Sequence, residues 1–243
     1  MRALDTTKVP YDSGVGGSRA TQVYGNAAYE AAIAARQELL ALAAKYQAST
    51  PDDLVFSGNV VRQKRTGKQM SYSEIVKTKG SPIYVQGYYN DTTRPSEASI
   101  CAQVVEVKVC RITGEIRVRQ ITTAHHTGRV INPLMHQGQI EGGIIMGLGY
   151  ALMEHLKFDE GKVVTTNLGD YKIPNVLDIP LLKTVILEEV LGPGPYHSMS
   201  IGELPNVPVA AAIANAIHDA VGIRVKSLPI TAEQIFDALR SRI

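Results

Sequence analysis

Two stretches in the middle of the chain alternate apolar and polar residues, as half-buried strands do. They are Ala98–Val109 and Glu115–Thr123, and the segment Arg111–Gly114 between them has the composition of a turn. A period of two places the apolar side chains of each run on one face of a sheet. The pattern therefore predicts an antiparallel hairpin.

Helical patterns lie on both sides of this hairpin. Alanine-rich sequence without internal proline predicts a long helix from Thr21 to about Gln47. Glu74, three residues after Ser71, is typical of a capping box and predicts a short helix over Ser71–Val76. The remaining predicted helices are Leu134–His155, one that begins near Pro208, and Ala232–Arg240 after the cap residue Thr231.

Short runs bounded by turn residues predict the other strands. They are Asp53–Val61 as two strands joined at Ser57–Asn59, then Tyr84–Tyr89, Lys162–Thr166 and Leu182–Glu189. Helices and strands together predict an α+β fold, with mixed, largely antiparallel sheets and packed helices. The 243 residues fit one domain over 1–243, which can divide into two lobes at about 1–97 and 98–243.

Charge and hydropathy exclude several functional classes. The net charge of +2 is small and the Lys and Arg residues are scattered, so nucleic acid is not an expected partner. The longest apolar run, Ile140–Met153, contains Glu141 and is too short to cross a bilayer. The first residues lack the apolar region of a signal peptide. We therefore expect a cytoplasmic protein with no membrane partner.

Cysteine and histidine positions argue against a metal held by protein ligands. Cys101 and Cys110 are an odd number of positions apart, so along one strand they face opposite sides and are poor disulfide partners. No cluster with the spacing of zinc or iron–sulfur ligands occurs in the sequence. The adjacent His125 and His126 point apart and form no triad, and the GxSxG motif is absent.

Glycine is unusually frequent in the predicted helix over Leu134–His155. Each glycine inside a helix costs up to about 1 kcal/mol relative to alanine. This cost indicates that another segment packs very close to the helix backbone. The glycines are Gly138, Gly142, Gly143, Gly147 and Gly149.

Three glycine-flanked segments are candidates for chemistry. The first is GVGGSRATQ, residues 14–22, at the head of the long helix. Its backbone N–H groups would suit an anion such as a phosphate, although it matches neither a P-loop nor a GxGxxG motif. The alternative is a glycine-rich turn with a Ser or Thr cap.

The second segment is HQGQIEGG, residues 136–143. Gln137 and Gln139 carry neutral donors and acceptors at the head of the glycine-rich helix, and such groups suit a flat polar heterocycle. Helix capping and solvation are the alternative explanation for both glutamines.

The third segment is SIGELPNVPVAAAIANAI, residues 200–217. Glu203 stands between Ile201 and Leu204, just before an apolar helix. A carboxylate in an apolar, partly dry setting has a raised pKa and can act as a general base near neutral pH. A glutamate that stabilises the helix dipole is the alternative.

These segments, in this order, resemble one family, the molybdenum hydroxylases of the xanthine dehydrogenase and aldehyde oxidase type. The resemblance covers nearly the whole chain and matches the C-terminal half of the family's molybdopterin-binding subunit. One such motif would be weak evidence, whereas several in order are specific. They are GGSRATQVYGNAAYEAA, GRVINP, GQIEGGIIMGLGYALMEH, DYKIPNVLDIP, SIGELPNVPVAAAIANAIHDAVGIRV and the closing Thr231–Leu239.

The resemblance implies roles for individual residues. Glu203 is implied as the general base at the molybdenum centre of an enzyme that hydroxylates an N-heterocycle or oxidises an aldehyde with water-derived oxygen. The dithiolene of the cofactor holds the metal, so no protein ligand to the metal is expected. The implied cofactor contacts are Gly16, Gly17, Ser18, Arg19, Ala20, Thr21, Gln139 and Gly202.

The resemblance also implies cofactors and partners. The cofactor is molybdenum–molybdopterin, and the sequence leaves open whether the pterin carries a cytosine nucleotide. FAD and [2Fe-2S] clusters are expected on partner chains. The partners are the other molybdopterin half, iron–sulfur and flavin subunits, and a small-molecule substrate.

Three segments depart from the family pattern. Leu204 stands where many relatives have proline, and His197–Ser200 where many have Gly-Ala-Lys-Gly. The loop His125–Gly128 also differs from the usual pattern. The first two departures lie near the substrate pocket that the resemblance implies, so the substrate class stays open.

Length is the largest departure, because Met1 stands almost at the cofactor loop. We expect a split enzyme in which a second subunit completes the cofactor site, with a cut or truncated polypeptide as the alternative. A non-catalytic cofactor-binding or assembly module is the second functional hypothesis, and Glu203 favours the enzyme. A phosphate-binding hydrolase ranks last, because the sequence offers no nucleophile–base pair.

Overall fold

The long alanine-rich segment forms helix α1, Ala20–Tyr46, as predicted. The computed structural model describes residues 5, 7, 9, 11–12, 14–90 and 98–241. These group into two compact units, one of residues 21–90 and one that joins the described residues up to Ala20 with 98–241. The division into lobes at about residue 97 stays a prediction.

The unit of residues 21–90 contains most of α1, a small antiparallel sheet and a capped helix. The sheet has the order β1–β2–β3. The unit has its own buried core, which is formed by the side chains of Ala43, Ala44, Leu54, Val61 and Ile75. The elements are a 3₁₀ turn at Pro51–Asp53, β1 (Leu54–Ser57), β2 (Val60–Gln63), β3 (Gln69–Ser71) and α2 (Tyr72–Lys79).

Helix α2 begins with the predicted capping box. The Ser71 hydroxyl accepts a hydrogen bond from the backbone N–H of Glu74, whose carboxylate in turn accepts one from the N–H of Ser71. Two backbone donors at the helix start are therefore satisfied. The hydrogen bonds to the Glu74 carboxylate from the side chain and backbone of Ser71 lower its pKa.

The strand predicted at Tyr84–Tyr89 is wrong. This segment has no regular secondary structure. The backbone at Gly87 lies so close to the backbone of α1 that a Cβ there would clash with Ala27 and Ala31. The segment therefore packs as an irregular chain on a helix, and Tyr84 and Tyr88 point their rings into solvent.

The other unit is built on a mixed sheet of order β4–β5–β8. Strands β4 and β5 form the predicted antiparallel hairpin, and β8 adds to β5 in parallel. Because β5 pairs with β4 in antiparallel and with β8 in parallel, the sheet is mixed, as the predicted α+β fold with mixed sheets requires. The elements are β4 (Cys101–Val109), β5 (Ile116–His126), α3 (Pro133–Leu152), β6 (Phe158–Asp159), β7 (Lys162–Val163), β8 (Leu181–Leu187), a 3₁₀ turn (Pro195–His197), α4 (Val209–Val221) and α5 (Ala232–Arg240).

Helices α3, α4 and α5 cover one face of this sheet. The core holds Ile121 from β5, Ile144 and Leu148 from α3, Ile213 from α4 and Ile235 from α5. All of these side chains are almost fully removed from solvent. Each contributes about 1.5–3 kcal/mol relative to an exposed side chain, so this core holds the helices on the sheet.

Some boundaries differ from the predicted ones. His125 and His126, expected in a loop, are the last residues of β5 and pair with β4 and β8. The predicted strand at Lys162–Thr166 shortens to β7, and α3 ends at Leu152 instead of His155. Pairing with distant strands places the two histidines in the sheet, and local composition does not report such pairing.

Cys101 and Cys110 are free thiols, as their spacing predicted. Within the described residues, no helix has both the length and the apolar character needed to cross a membrane.

Candidate functional site

Ser18 and Glu203 meet at the centre of the candidate site. The Ser18 hydroxyl donates a hydrogen bond of 2.8 Å to Oε2 of Glu203. Ser18 adopts a left-handed backbone conformation with φ of 60°, and Gly17 before it has φ of 64°. A non-glycine residue at positive φ is uncommon and costs about 1–3 kcal/mol, so the surrounding contacts hold this turn in place.

Gly202 allows this contact because it lacks a side chain. A Cβ at position 202 would lie 2.7 Å from the hydroxyl oxygen of Ser18 and 2.9 Å from its Cβ. The sequence explained Gly202 by the close approach of a cofactor. The structure gives a further reason, which is the close approach of Ser18 from the same chain.

Gln139 joins the second predicted segment to the third. Its amide Nε2 donates a hydrogen bond of 3.0 Å to the carbonyl oxygen of Gly202. Gln139 is exposed in the second turn of α3. The three segments proposed from the sequence thus converge, through Ser18, Gln139 and the pair Gly202–Glu203.

Two glycines of α3 lie against another segment, as the glycine content predicted, and the structure shows that this segment is the one that follows Glu203. A Cβ at Gly143 would lie 3.0 Å from the Cβ of Pro205, and one at Gly147 would lie 2.6 Å from the Cβ of Val209. The α3 backbone therefore lies directly against Pro205 and the start of α4. Gly138 and Gly142, in contrast, have open space beside them.

Backbone anchors that the sequence did not reveal hold the segment after Glu203. Gln103 Nε2 donates to the carbonyl oxygen of Pro205 at 2.8 Å, and the Tyr150 hydroxyl donates to that of Asn206 at 3.0 Å. Burial raises the pKa of Tyr150, which keeps its hydroxyl a donor. One sequence signal pointed to these anchors: Gln103 is a polar residue on the inward face of an alternating strand.

Glu203 itself is exposed on this chain. The partly dry setting expected for it is therefore not supplied by the described residues. The reason is its position at the turn before α4, where Ile201 and Leu204 are only half-buried and Pro205 is the residue that packs inward. Oε1 of Glu203 has no hydrogen-bond partner among the described residues, whereas Oε2 is bound by Ser18.

The remaining predicted contacts lie in the turn before α1. Gly16 has open space where a side chain would be, and Gly17 has positive φ. Arg19 Nε donates a hydrogen bond of 3.1 Å to the carbonyl oxygen of Gly16. Ala20 and Thr21 are exposed at the first positions of α1.

Two of the segments that depart from the family pattern pair with each other. Gly128 and Ser198 form an antiparallel bridge, and the N–H of Arg129 donates to the carbonyl of His197 at 3.0 Å. His197 has φ of 67°, a conformation that non-glycine residues rarely adopt. The two departures thus describe one structural element, which lies upstream of Glu203 in the chain.

His125 at the end of β5 and the half-buried His136 near the start of α3 lie close enough for their charges to interact. His125 is fully buried and shares a hydrogen bond of 2.7 Å between its Nε2 and the Thr123 hydroxyl. Burial lowers the pKa of His125, and the charge of His136 lowers it further. Burial also lowers the pKa of His136, against an opposite effect of Glu188. Both side chains are therefore neutral near pH 7.

Comparison with known proteins gives the family. The model of the molybdopterin cofactor-binding domain matches residues 1–180. The chain is 31% identical to the xanthine dehydrogenase molybdenum-binding subunit of Escherichia coli O157:H7, over 96% of this chain and 32% of that protein. It is also 31% identical to the gamma subunit of the 6-hydroxypseudooxynicotine dehydrogenase complex of Paenarthrobacter nicotinovorans, over 96% of this chain and 31% of that one.

A solved structure agrees with these relatives. Quinoline 2-oxidoreductase from Pseudomonas putida 86 superposes with a TM-score of 0.79 and 27% identity, over 96% of this chain and 32% of that one. The chain thus spans about a third of the length of the curated relatives it matches. Because the family model matches residues 1–180, which is well over half of the 243 residues, the chain belongs to the molybdopterin cofactor-binding domain family.

Proposed function

We propose that this chain is part of a molybdenum-dependent hydroxylase in which Glu203 is the general base. The observation that carries the proposal is that the half-buried Ser18 and the exposed Gln139 and Glu203 come together in one place. A carboxylate held by a neutral hydroxyl, with no ion pair among the described residues, can accept a proton at its free oxygen.

The residues present fit a pterin cofactor. The exposed amide of Gln139 and the half-buried hydroxyl of Ser18 flank Glu203, and the open space at Gly138 and Gly142 leaves one side of α3 accessible. Gly16, Gly17 and Arg19, with Ala20 and Thr21, are the residues that we infer to hold the phosphate-bearing part. When bound, the molybdenum cofactor supplies a two-electron acceptor for substrate oxidation.

The residues of this chain have separable tasks in that reaction. Glu203 accepts, at Oε1, the proton of the water-derived hydroxyl group that attacks the substrate carbon. Ser18 fixes the carboxylate by binding Oε2. Gln139 holds the Gly202 carbonyl, and Gln103 and Tyr150 hold the backbone that follows. Rigid placement of this kind is what positions a base for proton transfer.

An electron-poor carbon in an N-heterocycle or an aldehyde is the substrate class that we propose. The names of two relatives, a xanthine dehydrogenase molybdenum-binding subunit and a quinoline 2-oxidoreductase, refer to N-heterocycles and support the first of these. The element formed by Gly128 and His197–Ser198 departs from the family pattern. We infer that this element determines which substrate the enzyme accepts.

The partners follow from the names of the relatives, one a molybdenum-binding subunit and the other the gamma subunit of a dehydrogenase complex. We infer that this chain works in such a complex, in which the other molybdopterin half completes the site and further chains carry [2Fe-2S] clusters and FAD. The exposure of Glu203 supports this inference, because a second wall over the site would remove the carboxylate from bulk water.

The substitution Glu203→Gln tests the function. It keeps the size and the acceptor for Ser18 but removes the base, so turnover should fall about 10²–10⁴-fold while molybdenum content is unchanged. Steady-state kinetics and metal analysis of the purified complex measure both quantities. Glu141→Gln, which changes a partly buried glutamate of α3, is the control and should retain activity. Turnover of the Glu203 variant within about tenfold of the parent would remove Glu203 as the base.

A further inference from the structure

Two side chains bind the backbone on either side of Glu203. The Ser99 hydroxyl donates a hydrogen bond of 3.1 Å to the carbonyl oxygen of Ser200. The Cys101 thiol, a weaker donor, donates one of 3.6 Å to the carbonyl oxygen of Leu204. Burial raises the pKa of Cys101, so the thiol keeps its proton near pH 7. The residue proposed as the base thus lies between two backbone positions that side chains hold.

The two donors stand in one row with Gln103 along an extended stretch of chain. Cys101 and Gln103 belong to β4, and the pairing continues one residue before it, because the N–H of His126 donates to the carbonyl oxygen of Ile100. Alternate residues of an extended chain face the same side, so Ser99, Cys101 and Gln103 are successive positions on one face. All three side chains bind carbonyl oxygens of the segment that carries the base.

The spacing of Ser99 and Cys101 makes the segment between their carbonyl partners bend. Two steps along an extended chain cover about 7 Å, whereas the four steps from Ser200 to Leu204 would cover about 13 Å if that segment were extended. The surplus length has to leave the line between the two ends, and the backbone indeed bends at Gly202 and Glu203. We call Ser200–Leu204 the Glu203 arch.

The ends of the Glu203 arch decide where the carboxylate stands. Gln139 binds the Gly202 carbonyl oxygen within the arch at 3.0 Å, and Ser18 binds the carboxylate at 2.8 Å. Neither contact fixes the two ends, which depend on Ser99 and Cys101. A base must lie within hydrogen-bond reach of the proton that it accepts, so a small shift of the whole arch is enough to slow the reaction.

We propose that Ser99 and Cys101 are positioning residues for Glu203, which act by fixing the two ends of the Glu203 arch. The inference rests on the proposed function and extends it to two residues whose hydrogen bonds go to the backbone and not to the carboxylate. Both bonds are partly buried, which makes them electrostatically stronger than the same bonds in water. The start of the β4–β5 hairpin is therefore the rigid support of the base.

Steady-state kinetics of the intact complex test the positioning role. Ser99→Ala and Cys101→Ala each release one end of the arch, so kcat should fall about 10- to 10²-fold while KM stays nearly unchanged, because the base moves and the substrate contacts remain. Cys101→Ser keeps a donor and should restore most of the lost kcat. Full kcat in both alanine variants, or a loss in Cys101→Ser as large as in Cys101→Ala, would overturn the proposal.

Thr122→Ala is the matched control for these variants. It removes a half-buried hydroxyl from the same sheet, and Thr122 follows the fully buried Ile121 and precedes the fully buried Thr123, so its side chain points to the opposite face. Its kcat should equal that of the parent. Molybdenum content and the thermal unfolding midpoint are measured for every variant, so that a loss of folding or of cofactor is distinguished from a loss of positioning.

Amide hydrogen exchange measures the arch itself and does not depend on activity. The N–H of Asn206 donates to the carbonyl oxygen of Glu203 at 3.2 Å, so its exchange rate reports on movement of the arch. Residue-resolved mass spectrometry should find exchange at Asn206 at least about tenfold faster in Ser99→Ala and Cys101→Ala than in the parent, and unchanged in Thr122→Ala. Parental exchange in both arch variants would overturn the proposal.

The Glu203→Gln variant separates this inference from the proposed function. Normal turnover of Glu203→Gln, together with faster exchange at Asn206 in the arch variants, would defeat the function and leave Ser99 and Cys101 as structural anchors only. Loss of turnover in Glu203→Gln, together with full kcat in both arch variants, would defeat the positioning role alone.

Discussion

The Ser18 hydroxyl binds the Glu203 carboxylate at 2.8 Å, although 185 positions separate the two residues in the chain. The contact closes the candidate site by joining the turn before α1 to the turn before α4. It also explains the strained φ of Ser18, because that backbone conformation directs the hydroxyl to the Glu203 carboxylate.

Substitution of Ser18 should separate stability from activity. Ser18→Gly removes the hydroxyl and relieves the positive φ, so thermal stability should rise by up to about 1 kcal/mol while kcat falls about tenfold or more. Differential scanning calorimetry and kinetics of the complex measure the two effects. Ala48→Gly is the matched control, since Ala48 also has positive φ but lies outside the site. It should stabilise without loss of kcat, and a Ser18→Gly enzyme with full kcat would contradict the positioning role.

Gly202 and Ser18 should show strong energetic coupling. Gly202→Ala places a Cβ 2.7 Å from the Ser18 hydroxyl oxygen, so the turn must shift and activity should drop by about 10²-fold. In the double variant with Ser18→Gly, the steric conflict disappears and stability should recover, but activity should not. A double-mutant cycle on unfolding midpoints should give an interaction energy of about 0.5–3 kcal/mol, and strictly additive effects would argue against the contact.

The glycines of α3 should respond to alanine in opposite directions. Gly147→Ala puts a Cβ 2.6 Å from Val209 and should destabilise the protein by about 1–3 kcal/mol through overpacking. Gly142→Ala meets nothing within 4 Å and should stabilise it by up to about 1 kcal/mol through helix propensity. The thermal unfolding midpoints of both variants measure these two changes in stability. Equal midpoints would mean that α3 does not pack on α4 as described.

Stability should decrease in mild acid because of His125 and His136. The pKa values of His125 and His136 are lowered by burial from the ordinary value of 6.5, so the unfolded chain takes up protons first as the pH falls. Stability is therefore full above pH 6.5 and declines below it, by up to about 1.4 kcal/mol per pH unit for each group.

Denaturant unfolding between pH 7.5 and 5.5 measures this slope. His136→Gln should reduce it by about half, because one of the two groups no longer titrates. His155→Gln changes an exposed histidine and should leave the slope as it is. An unchanged slope in the His136 variant would show that other groups cause the acid sensitivity.

Local sequence was sufficient wherever a local physical signal decided the structure. The capping box of Ser71 and Glu74, the alternation of β4 and β5 and the cap at Thr231 were all predictable, because each depends on residues within one turn or one hairpin. The glycines of α3 also predicted close packing, although not which of them would be used. Gly143 and Gly147 pack, whereas Gly138 and Gly142 stay open.

The ordered motifs identified the family, and the family identified Ser18, Gln139 and Glu203 as candidate site residues. Only the tertiary structure decided how they meet, because the hydrogen bonds that join them link residues far apart in the chain. It also decided that the segment Tyr84–Tyr89 packs on α1 instead of forming a strand, and that Glu203 is exposed on this chain. Periodicity and composition report the neighbours along the chain, whereas burial and close approach depend on segments that the sequence separates.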